Sequence, residues 1–245
     1  MALRIAFDLD GVLADMDTEL VRHAEALFGE PMTRKLEERA TEVEEPAKPA
    51  EPKPDADADD VPVSARLHMT PRQTRRLWKH VQSIEGFWEG LNEIEPGAVA
   101  RLAAVATDRR WEVIFLTKRP NTAGATAQVQ SQRWLESNGF TYPSVYVVQG
   151  SRGLIAAALH LDIVVDDRPE NCLDVVVDSK ARAILVWRDD EKNLPVVARR
   201  LGIGAVKTVA ECLDILTQVD APESDQPGII ARVKRLLGLS ETAGV

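Results

Sequence analysis

The chain has 245 residues, of which 44% are hydrophobic and 28% are charged, a composition typical of a globular protein with a substantial core. Its formal net charge of -9 argues against polymeric nucleic acid as a partner, because such binding requires a basic surface. The two cysteines, Cys172 and Cys212, lie in apolar stretches typical of buried helices, so we expect neither a disulfide framework nor a thiolate metal site.

The N-terminal segment MALRIAFDLDG contains a short apolar run interrupted by an acid. The run is too short for a membrane span and lacks the pattern of a signal peptide, so we expect a cytoplasmic protein without a membrane partner. Residues 3–7 within it predict the first β-strand.

Four further apolar runs predict strands, and the amphipathic stretches between them predict helices. The strands are expected at residues 112–116, 144–148, 162–165 and 183–187, and the helices at residues 97–107, 122–137, 154–159, 169–177 and 208–219. Strands that alternate with helices form parallel β-α units, so the pattern predicts a doubly wound, Rossmann-like α/β sheet.

Residues 15–95 interrupt this alternation, and we interpret them as a small helical cap inserted after strand 1. Apolar periodicity predicts a helix at residues 18–28, and Thr70 followed by Pro71 is typical of the start of another. Between these helices, residues 42–62 are rich in proline and acids and predict a disordered loop.

The remaining segments define the rest of the domain organisation. Residues 1–14 and 96–220 are expected to form the α/β core. Residues 221–245 form a C-terminal tail, in which residues 228–239 predict an amphipathic helix. Such a helix packs either on the core or on a partner subunit, which leaves a homo-oligomer open.

Two acids follow the first strand directly. Asp8 and Asp10 are one residue apart, and Gly11 permits a sharp turn after them. Because the carboxyl ends of parallel strands line the ligand crevice of such a sheet, we expect both acids to lie there. One carboxylate can attack phosphorus while the other acts as acid and base, although the same spacing is common in turns that cap helices.

Later strands also end in polar residues. Thr117 either donates a hydrogen bond to a phosphoryl oxygen or caps a helix or turn. The adjacent Lys118 and Arg119 either help to neutralise the phosphate or are solvated or helix-end residues. Asp166 and Asp167 follow another buried strand, and adjacent carboxylates repel unless a cation lies near them. Carboxylate oxygens together with a substrate phosphate suit Mg²⁺.

The ordered series of DLDGVL at residues 8–13, Thr117, and VVDDRPEN at residues 164–171 resembles the haloacid dehalogenase superfamily. The resemblance implies a sheet with strand order 3-2-1-4-5. It also implies that Asp8 is the nucleophile and Asp10 the general acid/base.

The same resemblance implies a bound Mg²⁺. Its ligands would be the Asp8 carboxylate, the Asp10 main-chain carbonyl and Asp166, with Asp167 in support.

A finer resemblance points to the 5'(3')-deoxyribonucleotidase branch of that superfamily. It rests on residues 86–98 and 132–140 and on the segment DDRPEN. In that branch aromatic cap residues shape the nucleobase pocket, so Phe87 and Trp88 are either stacking residues or core residues of the cap and hinge. The helical spacing of Trp134 predicts a core position.

One position departs from the superfamily pattern. Members of the superfamily have a lysine that neutralises the nucleophile and the phosphate. Where similar sequences read Lys-Gly, this chain has Arg152-Gly153. An arginine keeps the charge and can clamp a phosphate through two donors, but it lacks the compact geometry of an ammonium group.

These features predict a Mg²⁺-dependent phosphomonoesterase that forms an aspartyl phosphate. Its substrate would be a small phosphorylated metabolite, with a nucleoside monophosphate as the first to test. The substrate-binding residues would be Lys118, Phe87 and Trp88, and the catalytic residues would include Thr117 and Arg152. The alternatives are a catalytically weakened binding or regulatory protein of the same fold and a phosphatase of sugar phosphates or other small esters.

Overall fold

The computed structural model describes residues 2–29 and 69–219, and within them six strands form one parallel sheet. The strands are β1 (Arg4–Asp8), β2 (Glu112–Thr117), β3 (Ser144–Val147), β4 (Ile163–Asp166), β5 (Arg182–Val186) and β6 (Gly204–Val206). Their order is β3-β2-β1-β4-β5-β6. The predicted doubly wound α/β fold is therefore confirmed, and the expected order 3-2-1-4-5 is extended by one edge strand.

Strand β6 was not predicted because its evidence is not local. It has three residues, which is too short for an alternating apolar pattern. Its extended conformation is stabilised by pairing with β5, in which Ile184 lies opposite Gly204 and Val186 opposite Val206.

Helices cover the sheet and connect its strands. They are α1 (Met16–Phe28), α2 (Pro71–Gln82), α3 (Ala98–Arg109), α4 (Ala127–Ser137), α5 (Arg152–Ala158), α6 (Pro169–Asp178), α7 (Val196–Arg200) and α8 (Val209–Val219), with short 3₁₀ turns at Phe87–Glu89 and Glu191–Asn193. Helix α2 begins as expected, because Thr70 accepts a hydrogen bond from the backbone of Gln73. Helix α4 begins five residues later than expected, since the Gln130 side chain holds Ala123 and Ala125 in a loop.

Helices α1 and α2 lie between β1 and β2 in sequence and form the helical cap of the described chain. They contact each other where His23 Nδ1 lies 3.2 Å from His80 Nε2. The chain enters and leaves the cap through paired segments, since Ile94 N donates to the Leu13 carbonyl at 2.9 Å. This pairing places the base of the cap beside the loop that follows β1.

Two predictions lie outside the described residues. They are the loop at residues 42–62 and the C-terminal tail with its helix at residues 228–239.

Apolar side chains pack on both faces of the sheet. Ile5 and Phe7 belong to one buried cluster, and Ala6 between them belongs to the other, as the two-residue period of a strand requires. Cys172 in α6 and Cys212 in α8 are both buried and free, as the apolar stretches around them predict for their burial. The double coverage explains why the central strands are apolar on both faces.

Helices α5 and α6 approach each other closely at Gly153, which immediately follows Arg152. A Cβ at Gly153 would collide with the backbone carbonyl of Asp174 and lie 2.6 Å from Asp178 Cβ. The glycine therefore allows α6 to pack against the start of α5 and so sets the position of Arg152.

Replacing Gly153 with alanine is expected to destabilise the fold by about 1–3 kcal/mol, because the backbone of α6 must move to accept the methyl group. Urea unfolding would measure this loss. The matched control is Gly150→Ala, since a Cβ there meets nothing within 4 Å and the expected change is near zero. Equal stability of both variants would contradict the close packing at Gly153.

Candidate active site

The carboxyl ends of β1, β2 and β4 meet at one edge of the sheet, and a cleft of about 580 Å³ opens there. Its walls come from the loops after the first four strands and from the cap, which contributes residues of both α1 and α2. This volume lies within the range of pockets that hold small molecules. The cleft is therefore the candidate active site, at the place where the sequence predicts one.

Asp8 ends β1 at the cleft and is paired with Arg152. Arg152 Nη2 donates to Asp8 Oδ1 at 2.5 Å, and Arg152 Nε lies 3.6 Å from Asp166 Oδ2. Burial raises the pKa of Asp8 well above its ordinary value, and the nearby Asp166 raises it further, while Arg152 opposes both. Arg152 is itself only 5% exposed, and its Nη1 is buried without a hydrogen-bond partner. A strong donor therefore stands unpaired beside the Asp8 carboxylate.

Asp10 is held by residues that follow β2. Thr117 Oγ1 donates to Asp10 Oδ2 at 3.0 Å. Arg119 donates to the same carboxylate through Nε, at 3.0 and 3.1 Å, and through Nη2 at 2.8 Å. The Thr117 hydroxyl, expected to reach a phosphoryl oxygen, is fully buried and donates to Asp10 in this structure.

The two acids at the end of β4 differ in their hydrogen bonds. Asp166 is fully buried and accepts hydrogen bonds from Asn171 Nδ2, at 3.0 Å to each oxygen, and from Arg168 N at 2.9 Å. Asp167 lines the cleft, and its Oδ1 is buried without a hydrogen-bond partner. Burial, followed by repulsion from Asp166, raises the pKa of Asp167 to about 7.

Gly11 is needed for Asp167 to approach the loop after β1. Its φ of 83° lies in the left-handed region, where residues with a Cβ are strained. A Cβ at Gly11 would also collide with the Asp167 carboxylate, whose Oδ1 would lie 3.0 Å away. The glycine thus brings the two acid-bearing loops together.

The donor set at this edge fits Mg²⁺. Asp166 and Asp167 both raise the pKa of Asp8, and Asp166 raises the pKa of Asp167, so the three carboxylates favour a nearby cation. Burial raises the pKa of Asp166, while Arg152 lowers the pKa of both Asp8 and Asp166. Within residues 2–29 and 69–219, no three acidic, histidine or cysteine side chains form a group that could hold a metal by themselves. Mg²⁺ does not require such a group, since it is commonly bound by one or two carboxylates with waters and a substrate phosphate.

The three predicted substrate-binding residues lie in different environments. Lys118 is exposed and lines the cleft. Trp88 also lines the cleft but is fully buried, and its indole N–H donates to the Pro120 carbonyl at 3.0 Å. Phe87 is buried against the Trp88 and His23 rings and is not among the residues that line the cleft. Trp134 is 1% exposed, which confirms its predicted core position.

Two residues of the site carry little signal in the sequence, and a third carries a signal that the sequence interpretation does not use. Arg119 follows a lysine and is typical of an exposed loop, yet it is 2% exposed because Asp10, distant in sequence, binds it. Trp78 lies at the edge of the apolar stripe of α2, and the cap places it on the cleft wall. Asn171 had a detectable signal, since it lies one helical turn after the acid pair, where α6 begins.

Comparisons with known proteins identify the fold. No protein-family model and no curated protein matches the chain. Among solved structures, the chain is similar to a predicted β-phosphoglucomutase from Thermotoga maritima, with 20% identity over 89% of this chain and 99% of that chain and a TM-score of 0.50.

Two further structures are similar to the chain. A hydrolase from Pseudomonas syringae is 18% identical over 91% of this chain and 100% of its own, with a TM-score of 0.49. A HAD family hydrolase from Deinococcus radiodurans R1 is 16% identical over 89% of this chain and 96% of its own, with a TM-score of 0.48. Within the described residues, no helix is long and apolar enough to cross a bilayer. At 20% identity, the likeness to the Thermotoga maritima structure shows the α/β fold.

Proposed function

We propose that this protein is a Mg²⁺-dependent phosphomonoesterase in which Asp8 is the nucleophile. The observation that carries the proposal is the buried Arg152 guanidinium, which binds Asp8 through Nη2 and keeps Nη1 unpaired. An unpaired buried donor costs free energy, and a phosphoryl oxygen beside Asp8 would satisfy it with a charge-assisted hydrogen bond.

The proposed reaction has two steps. The Asp8 carboxylate attacks phosphorus in line as the bond to the leaving oxygen breaks, and Asp10 donates a proton to that oxygen. Asp10 then takes a proton from water, whose oxygen attacks the aspartyl phosphate and releases inorganic phosphate. Arg152 stabilises the charge that spreads over the phosphoryl oxygens in both steps.

The metal would be held by the Asp8 carboxylate, the Asp10 main-chain carbonyl and the acid pair Asp166 and Asp167. The unpaired Asp167 Oδ1 supports a larger part for this residue than the sequence suggests. Bound Mg²⁺ supplies positive charge that offsets the repulsion between the phosphate and these carboxylates.

A nucleoside monophosphate is the substrate that we propose to test first. Trp78 and Gln82 lie four residues apart on α2, so they share one face of the helix, and both line the cleft. An aromatic ring and an amide suit a nucleobase, because the ring can stack on its face and the amide can bind its edge. Lys118 adds a positive charge at the cleft wall.

Phosphate release from a substrate panel tests the proposed function. The panel contains nucleoside monophosphates, sugar phosphates and 4-nitrophenyl phosphate, each assayed with Mg²⁺ and with a chelator. The proposal expects Mg²⁺-dependent release. Faster turnover of sugar phosphates than of nucleotides would keep the phosphatase and overturn the nucleotide assignment, whereas no release from any ester would favour a binding protein.

Replacing Trp78 with alanine is expected to raise KM for a nucleoside 5'-monophosphate about tenfold, on the scale of a lost base-stacking contact. The matched substrate is ribose 5-phosphate, which carries the same phosphate and sugar without the base, and its KM is expected to stay unchanged. Steady-state kinetics with both substrates checks this result. An equal change for both would show that Trp78 does not contact the base.

A further inference from the structure

Arg119 is buried and is held from several sides. Its Nη1 donates to Ser131 Oγ at 2.8 Å, and its guanidinium carbon lies 4.8 Å from the Trp88 ring centroid and 6.0 Å from that of Trp134. The side chain is fully buried, so solvent cannot replace these contacts. The guanidinium that binds Asp10 therefore has one defined position.

The hydrogen bonds to Asp10 use all four acceptor positions of its carboxylate. Oδ1 accepts from Arg119 Nε and Nη2, and Oδ2 accepts from Arg119 Nε and Thr117 Oγ1. The two partners differ chemically. A guanidinium can only donate hydrogen bonds, whereas the Thr117 hydroxyl can rotate and accept a hydrogen bond from a protonated carboxyl oxygen.

We infer that Arg119 is a positioning residue that anchors Asp10 through Nη2 on Oδ1, and that Oδ2, which shares the Nε–H and also contacts the Thr117 hydroxyl, is the oxygen that exchanges protons with the leaving group and with water. The inference rests on the proposed phosphomonoesterase function. The Nε–H hydrogen bond is shared between the two oxygens, so it can move wholly to Oδ1 when Oδ2 carries a proton. The Thr117 hydroxyl then accepts from Oδ2 or turns away.

The proton movements balance over one turnover. As the ester P–O bond breaks, the O–H bond at Asp10 Oδ2 breaks and the proton forms a new O–H bond on the leaving oxygen. Asp10 becomes a carboxylate, still held at Oδ1 by Arg119. In the second step Oδ2 takes a proton from the attacking water, and the new P–O bond forms as the Asp8–phosphorus bond breaks.

Leaving-group dependence tests whether Arg119 acts through Asp10. Arg119→Met is expected to lower kcat/KM for an alkyl phosphate by about 10²-fold or more, because a basic leaving oxygen needs the proton. For 4-nitrophenyl phosphate, whose leaving group departs without protonation, the loss is expected to be much smaller. The matched control is Arg133→Met, since Arg133 is half-exposed on α4 and pairs with Glu89 at the surface. It is expected to leave both rates unchanged.

Two further variants separate this inference from a structural role. Asp10→Asn is expected to show the same selective loss, and adding Arg119→Met to it is expected to lower the alkyl ester rate no further. Arg119→Lys keeps a charge without the fork, so it is expected to keep the selective loss even if the Met variant fails to fold, which circular dichroism would show.

The possible failures are distinguishable. A wild-type chain that cleaves both esters, together with an Arg119→Lys variant that loses the same factor on each, would overturn the role of Arg119 and leave the proposed function intact. A folded wild-type chain that cleaves neither ester would overturn the proposed function and the inference with it.

Discussion

Asp8→Asn is expected to lower phosphate release by about 10⁴-fold or more, the scale on which loss of an attacking group lowers turnover in other covalent enzymes. An amide oxygen is too weak a nucleophile to displace the leaving group at phosphorus. The variant is also expected to fold. The amide has the shape of the carboxyl group and its oxygen can still accept from Arg152, which also keeps Asp166 Oδ2 at 3.6 Å as a charged partner.

Phosphate release with saturating Mg²⁺ measures the loss, and thermal unfolding verifies the fold. The control is Asp214→Asn. Asp214 is an exposed acid of α8 that pairs with Arg101 of α3, and neither residue lines the cleft. It is expected to retain full activity. Wild-type turnover by Asp8→Asn would exclude Asp8 as the nucleophile.

Arg152→Met is expected to lower kcat/KM by about 10²- to 10³-fold, the usual effect of removing one preorganised donor from the charge that develops in a transition state. It is also expected to destabilise the metal-free protein. Arg152 is the cation paired with Asp8 at 2.5 Å and near Asp166, and removing one partner of a buried pair costs about 3–5 kcal/mol. Steady-state kinetics and urea unfolding measure the two effects separately.

Arg152→Lys tests whether the charge or the forked geometry matters. A lysine keeps the positive charge of the arginine, but its single nitrogen cannot contact Asp8 and a phosphoryl oxygen through a rigid fork. We expect it to keep most of the stability and to lose less activity than the methionine variant. Full activity of Arg152→Met would show that the unpaired Nη1 does not contact the phosphate.

Elements with strong local patterns could be predicted from the sequence. The apolar runs of β1, β2 and β4 predict strands because most of their residues are buried. The acids at the ends of β1 and β4 and the hydroxyl of Thr117 at the end of β2 mark the sheet edge. Helix α2 was found from Thr70 and Pro71, whose capping chemistry is local. Strand β6 was missed, since pairing with β5 rather than its own three residues makes it a strand.

The partners of each site residue could not be predicted in the same way. Lys118 and Arg119 are neighbours with the same charge, yet Lys118 is exposed, whereas Arg119 is buried and forms an ion pair with Asp10. Phe87 and Trp88 are also neighbours, yet Trp88 reaches the cleft and Phe87 does not. These differences depend on which element packs against each side chain, and that information is spread over distant parts of the chain.

The sequence by itself determined that this protein has a parallel α/β sheet and that Asp8, Asp10 and the Asp166–Asp167 pair stand at its carboxyl edge, because strand periodicity and the positions of acids after strands are local properties. Only the tertiary structure decided that Arg152 binds Asp8 through Nη2 while its Nη1 has no hydrogen-bond partner. It also decided that Asp167 Oδ1, and neither oxygen of Asp166, lacks a hydrogen bond, and that Arg119 binds Asp10. Those contacts join residues more than a hundred positions apart or depend on close packing, as at Gly11 and Gly153, so they form only when the helices and strands have assembled.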